Sequence, residues 1–490
     1  MAMIRPFLIS LAAAIGLTVV ASAQVFDHPL KRPDSLGKAG NKPPGSYAMV
    51  ELQAVQTGDV VPFWMRAMQH GNIPLAGSSV AAIGSYMGDY RAVPGKTAIG
   101  YGVQVRADLG NRFRGTLLQA YVKARFKRFE WKVGRFRQVQ GLSDTTLGMG
   151  NFSQSGNTVP IPMIQVGLPD YSFPVLDSLF SFKATFSQGW MGETPTKFMN
   201  NLQRLPQFLH QKSLHMRIGR PQSKVKGVVG LVHEVFWVNN RKLYGDTAWK
   251  LSPLETYFYI VTAKRYLYKP GFSETTTIGN NLGHFDLGLD ITGTRTDIRV
   301  YRQIFYESLR TLSDGITGVS FVNRRRASGR FRLDKIVLEY MSSMNQGYDA
   351  TNDPDRYDNY YNHEFLYDGV AYGGAGFGNP FISPRSTVRR GFPSTSAQII
   401  AFNNTRVRAL HAGVEWSAGR LQMRNRLSFS RNFGMYSTQN TFPPSSQFSL
   451  GMEAAMPLRG GWQARAMFAF DSGGLLYNTA GGFLSMARIF

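Results

Sequence analysis

The chain has 490 residues, no cysteine, and 55 basic against 31 acidic side chains, for a formal net charge of +24. The absence of cysteine excludes disulfide staples, thiolate metal sites and a lipid anchor on an N-terminal cysteine. A mean hydropathy of −0.20 excludes a bundle of apolar membrane helices.

The first predicted element is an export signal. Arg5 supplies a positive start, Phe7 to Val20 are almost wholly apolar, and Ala21-Ser22-Ala23 places small residues where a signal peptidase reads, ahead of Gln24. The apolar run is shorter than the roughly 20 residues of a spanning helix, so residues 1–23 are expected to be a cleaved signal peptide. Removing them takes away only Arg5 among the charged residues and leaves +23. Residues 24–46 read as a Pro-rich linker, with Pro29, Pro33, Pro43 and Pro44. Residues 47–100 form an N-terminal region of mixed pattern ahead of the barrel, with room for short helices.

From Tyr101 onward an alternation of period two dominates. Leu118, Ala120, Val122, Ala124 and Phe126 are apolar, whereas Gln119, Tyr121, Lys123 and Arg125 between them are polar or amphipathic. Such spacing puts each set on its own face of a strand. The pattern resumes at Phe129, Trp131 and Val133, which makes Lys127-Arg128 a hairpin turn. Phe180, Phe182, Ala184 and Phe186 repeat it, as do Leu427 and Phe429 among Arg424, Arg426, Ser428 and Ser430. Trp462, Ala464, Ala466, Phe468 and Phe470 follow, after the turn Arg459-Gly460-Gly461. Residues 345–384 and 385–405, rich in Asp, Asn, Tyr and Gly, read as long loops on one side. The final residue is Phe490, with Arg488, Met486, Leu484 and Gly482 on its row; an aromatic end to a last strand is what barrel insertion machinery takes up.

A soluble sandwich and a membrane barrel share this alternation. The export signal, terminal aromatic and 13% aromatic content favour the barrel. The fold expected is therefore all-β: a transmembrane antiparallel barrel over residues 101–490, with Val122, Ala124 and Phe126 toward lipid and Lys123 and Arg125 toward the lumen. The surplus of positive charge favours an anionic partner. Export argues against nucleic acid, which leaves acidic polysaccharide or lipopolysaccharide phosphate, or simply a wet basic lumen.

Several short motifs, in order along the chain, resemble the capsule assembly Wzi family of outer-membrane proteins. They are Pro62-Phe63-Trp64 with Gln69-His70-Gly71, then Gly134-Arg135, Gly141-Leu142 and Pro160-Ile161-Pro162, then Leu209-His210-Gln211-Lys212-Ser213-Leu214 and Gly230-Leu231-Val232-His233 with Trp237. Asn281-Leu282-Gly283-His284-Phe285-Asp286 follows, then Asp358-Asn359-Tyr360-Tyr361-Asn362-His363, Gly378-Asn379-Pro380, Asn403-Asn404-Thr405-Arg406-Val407 and Ser430-Arg431-Asn432-Phe433-Gly434. Glu364-Phe365-Leu366 and Glu307-Ser308 depart from the pattern. The resemblance implies one monomeric barrel of about 18 strands, with residues 47–100 as an N-terminal extension at the periplasmic side, that holds or organises capsular polysaccharide at the cell surface in the manner of a lectin, without cofactor. A general or substrate-selective porin is the alternative.

The candidate sugar-contact stretch is Arg356, Tyr357, Asn359, Tyr360, Tyr361, Asn362 and His363. Aromatic faces stack on sugar C–H surfaces, amides grip hydroxyls, and a guanidinium pairs with a uronate or phosphate. The same residues would equally knit a loop together or fill the lumen. Arg324-Arg325-Arg326 is either an anion site or a solvated turn. His210, His233, His284 and His363 lack metal-ligand spacing, and no strained nucleophile turn of the G-x-S-x-G kind is present, so neither a metal nor an enzymatic activity is expected.

Overall fold

The structure is a computed structural model. It describes residues 46–490 except 76, 90–96, 199–200, 268–275, 325–330, 350, 353–356, 393–400 and 440. The expected signal peptide, and all but the last residue of the expected linker, lie outside the described residues.

Eighteen strands form one antiparallel sheet in which each strand pairs with its sequence neighbour. They are β1 (Tyr47–Thr57), β2 (Ser79–Gly88), β3 (Thr97–Leu109), β4 (Phe113–Phe126), β5 (Phe129–Arg135), β6 (Pro162–Val175), β7 (Phe180–Phe198), β8 (Asn201–Ile218) and β9 (Val225–Val238). Then come β10 (Asn280–Thr292), β11 (Thr296–Tyr306), β12 (Gly315–Asn323), β13 (Phe331–Ser342), β14 (Val407–Ala418), β15 (Leu421–Asn432), β16 (Ser445–Pro457), β17 (Trp462–Gly473) and β18 (Thr479–Ile489). β1 pairs with β18, Met49 opposite Ile489 and Leu52 opposite Met486. The sheet thus closes on itself, and no edge is left with unpaired backbone groups, as a spanning sheet requires.

This closure corrects the expected boundary at Tyr101. Residues 47–100 hold β1, β2 and the start of β3, and β1 is the strand that completes the ring. Apolar residues occupy both faces of these strands, Val80 and Tyr86 outward and Ile83 and Met87 inward, so the alternation is blurred in the sequence. A short helix does occur there, α1 (Phe63–Arg66).

The distribution of side chains is inside-out. On β1, Val50 and Leu52 are exposed while Glu51 and Gln53 between them are enclosed. On β15, Leu427 and Phe429 face out while Arg424, Arg426, Ser428 and Ser430 face in. A soluble sandwich would reverse both sets; apolar-out and polar-in is the pattern of a barrel in lipid. Val122 and Phe126 face out and Lys123 and Arg125 face in, where they pair with Asp89 at 2.7 Å and Asp170 at 2.8 Å. Leu118 departs from the expected row. A bulge sets Gln104 opposite Gln119 and the next residue, Val105, opposite Leu117. The extra residue turns Leu118 inward beside Gln119, and both are buried.

One rim of the barrel carries short turns, including Lys127-Arg128 and Arg459-Gly460-Gly461, together with the first described residues and the C-terminus. Aromatic rings gird this rim with cations against them: Lys127 over Phe126, Arg128 over Phe173, and Arg488 between Trp462 and Phe490 at 5.6 and 4.8 Å. Arg488 thus sits where a basic side chain meets headgroups at the end of the lipid-facing row. The opposite rim carries the long connections, residues 58–78, 136–161, 239–279 and 343–406.

Candidate functional site

The long connections fold down into the barrel and pack against one another. Trp64 of α1 is enclosed, its indole N–H donates to Ser428 Oγ at 3.1 Å, and Phe63 N donates to Asp471 at 2.7 Å. From residues 136–161, Phe152 stacks on Phe305 of β11 at 4.3 Å, and its N–H donates to Gln303 Oε1 at 2.7 Å. Deeper, Arg426 donates to Thr146 O at 3.1 Å, and Lys335 pairs with Asp144. His70 N donates to Gly156 O at 2.7 Å, and Asn157 Nδ2 to Gly378 O at 2.6 Å, so three connections lock together. Polar groups of the lumen wall and backbone groups of the plug thus bond one another across the enclosed space.

The candidate stretch divides at this plug. Arg356 lies outside the described residues. Tyr360 and Tyr361 are fully enclosed. Tyr360 donates its hydroxyl to Asp314 at 3.1 Å, and Tyr361 donates its own to Phe152 O while accepting from Asn379 N at 2.8 Å. Asn362 accepts from Ala401 N and Phe402 N at 3.0 and 2.9 Å and donates to Asn359 Oδ1 at 3.1 Å. Their hydrogen-bonding capacity and their rings are taken up inside the protein, which is the loop-knitting role; as placed, Tyr360 and Tyr361 offer no face to a sugar. His363 lies apart, half-buried, its Nδ1 accepting from Phe365 N at 3.2 Å.

Tyr357 does reach a surface group. Its ring lies 5.2 Å from Tyr436 and 6.1 Å from Tyr348, and Tyr348 stacks on Tyr436 at 4.0 Å and 16°. The Arg406 guanidinium lies 4.1 Å from the centre of the Tyr436 ring. All four side chains are half-buried, at the long-loop rim. Stacked phenols beside a planar cation suit the C–H faces and acidic groups of a charged sugar. Tyr348, Arg406 and Tyr436 were not singled out from the sequence; Arg406 lies inside one motif and Tyr436 just beyond another, and only the fold brings them to Tyr357.

Beneath this group three loop carboxyls hold residues 343–406 to the β11–β12 connection. Asp314 accepts from Asn345 N and Gln346 N at 3.0 and 2.7 Å, Glu307 from Tyr361 N at 2.8 Å, and Asp358 from Ser308 N at 3.2 Å. Burial pushes all three carboxyls above their ordinary range, and the neighbouring Asp358 charge raises Glu307 further.

The four singled-out histidines do not converge. His284 Nδ1 meets Ser153 Oγ at 2.9 Å, with Asp286 at 3.5 Å from Nε2. This trio has the residue types of a nucleophile, a base and an orienting acid. All three side chains are buried where the β10 wall meets the plug, so no substrate reaches them in this conformation. Arg324, the described member of the arginine run, pairs with Asp297 at 3.1 Å at the short-turn rim.

No family model and no curated protein matches the chain. Among solved structures it is similar to Wzi of Escherichia coli, an outer-membrane protein involved in group 1 capsule assembly and described as a carbohydrate-binding β-barrel. The TM-score is 0.56, with 11% identity over 90% of this chain and 83% of that one. It is also similar to OccD3 of Pseudomonas aeruginosa, with TM-score 0.42 and 9% identity over 91% of each chain. OccAB4 of Acinetobacter baumannii gives TM-score 0.43 and 8% identity over 91% of this chain and 98% of that one. At such identities likeness bears on fold alone, and it agrees with the lipid-facing apolar band and the asymmetry of the loops: the chain is an eighteen-stranded antiparallel β-barrel of the outer-membrane type.

Proposed function

We propose that this barrel holds or organises an acidic polysaccharide at the cell surface, as a non-catalytic binding protein. The observation that carries the reading is the Tyr348, Tyr357, Tyr436 and Arg406 group, set at the long-loop rim above a lumen filled by loops. The net charge of +24 supports an anionic polymer, and the carbohydrate binding described for the similar Wzi barrel supports a sugar. The test is binding of purified protein in detergent to acidic and neutral polysaccharides. The variant Arg406→Gln/Tyr436→Ala is expected to lose most binding of the acidic polymer while keeping the heat-modifiable gel mobility of a folded barrel. Rising salt is expected to weaken wild-type binding, since exposed charge pairs are screened within about 8–10 Å at physiological ionic strength. Unchanged binding by the variant refutes the site.

A second reading is a porin. The lumen near the short-turn rim is lined by partly exposed ion pairs, among them Arg299 with Asp290 at 2.5 Å and Arg424 with Glu415 at 2.9 Å, a lining that suits passing polar solutes. This reading requires the loop plug to shift during transport.

A further inference from the structure

On the outer wall, β14 and β15 place two arginines directly opposite each other, Arg408 against Arg431. Both are exposed, and neither has an acidic partner among the described residues. Like charges directly opposed on one face of a sheet destabilise the pair, so a bare pair of this kind is costly to keep. Two residues further into the membrane on the same face, Leu410 faces Phe429, both well exposed, and Tyr340 of β13 faces Leu410. At about 3.3 Å per residue, the arginines therefore sit roughly 7 Å above lipid-facing apolar side chains. That is the headgroup level of the outer leaflet, because these are the strand ends that carry the long loops. Ser342 lies opposite Arg408 on the β13 side, and Ser446 opposite Arg431 on the β16 side, so hydroxyls flank the pair at the same height. Arg431 also lies against the Phe433 ring at 5.6 Å, which steadies its guanidinium at the surface.

We propose that Arg408 and Arg431, flanked by Ser342 and Ser446, bind the phosphate groups of a phosphorylated glycolipid of the outer leaflet, with its acyl chains against Tyr340, Leu410 and Phe429. An anion bridging two guanidiniums converts their repulsion into paired charge-assisted hydrogen bonds. Apolar side chains directly below select a lipid over a free anion. The site stands on the outside wall and does not depend on the polysaccharide reading of the loop rim.

The test is native mass spectrometry of the full chain in detergent, titrated separately with lipid A, dephosphorylated lipid A and inorganic phosphate. Wild type is expected to retain phosphorylated lipid A and to lose it when the phosphates are removed. Arg408→Gln/Arg431→Gln is expected to weaken retention roughly tenfold or more, since hydrogen bonds to a charged group contribute on that scale. Arg408→Lys/Arg431→Lys is expected to keep an intermediate level, and an Arg385→Gln/Arg390→Gln variant at the loops to behave as wild type. Heat-modifiable mobility checks that each variant is folded. Equal retention of dephosphorylated lipid overturns the proposal, as does full retention by the double Gln variant. Equal loss in the Arg385/Arg390 variant overturns it by showing a general charge effect. Equal binding of inorganic phosphate alone overturns the choice of a lipid.

Discussion

Single side chains in this protein show how a motif residue serves the plug rather than a ligand. Gly378 is one case: a Cβ there would lie 2.3 Å from Tyr361 Oη and 2.4 Å from Phe152 O. Gly378→Ala is therefore expected to push apart residues 136–161 and 343–406 at a cost of about 1–3 kcal/mol. Limited proteolysis should show faster cutting within 343–406 while the strands stay protected; cutting at the wild-type rate would show that the two connections do not pack as described. Tyr361→Phe is expected to act in the same direction, because Asn379 N would lose its acceptor. The candidate stretch was legible in the sequence as a group of aromatic and amide residues, but which of them face solvent was not. Tyr357 and Tyr360 are three positions apart; one lies in the half-buried rim group and the other is sealed against Phe152 and Asp314, a difference set by contacts with β11 and residues 136–161.

At the scale of strands and loops, depth in the membrane decides the effect of a charge. Ala124 lies two residues from the end of β4, opposite Trp131 of the aromatic girdle, so Ala124→Arg is expected to cost only about 0–1 kcal/mol, the interfacial range. Val103, exposed in the middle of β3, lies near the midplane, and Val103→Arg is expected to cost about 2–4 kcal/mol. Folding titrations into lipid vesicles measure both, and the reverse ranking would contradict the placement. A pH effect belongs to the loops. Glu307, Asp314 and Asp358 have folded-state pKa values raised above the ordinary carboxylate value of about 4. The folded loops thus favour the protonated forms. That contribution is fully present below about pH 4 and is lost as pH rises through the raised values. Arg310 beside Asp358 at 3.6 Å and Arg302 near Asp314 work against the shift. Amides of residues 343–349 and 357–369, after correction for intrinsic exchange, are expected to exchange faster at pH 8 than at pH 5; the opposite order would show that the charged forms are the ones held.

For the whole molecule, the β-barrel was legible because its outer face must be apolar wherever lipid touches it, and Phe180 to Ser187 and Trp462 to Phe470 display that alternation openly. The start of the barrel was hidden where apolar side chains also face inward: Met49, Val55 and Ile83 are buried on the lumen side, and the period-two signal fades. The bulge at Leu118 and the closure of β1 on β18 depend on pairing between distant strands, which local spacing does not report. The loop plug was foreshadowed only by polar, Gly-rich stretches, and its meeting points, such as His70 with Gly156 and Tyr361 with Asn379, are separated by many residues. Retention of polymer at the loop rim and passage of solute through the lumen make opposite demands on the same loops. The most direct measurement is released acidic polysaccharide in the medium of cells carrying Arg406→Gln/Tyr436→Ala in place of the wild-type chain. Increased shedding, with the variant present at wild-type level in the outer membrane, is the expected result; unchanged shedding together with slower uptake of a small solute would contradict it.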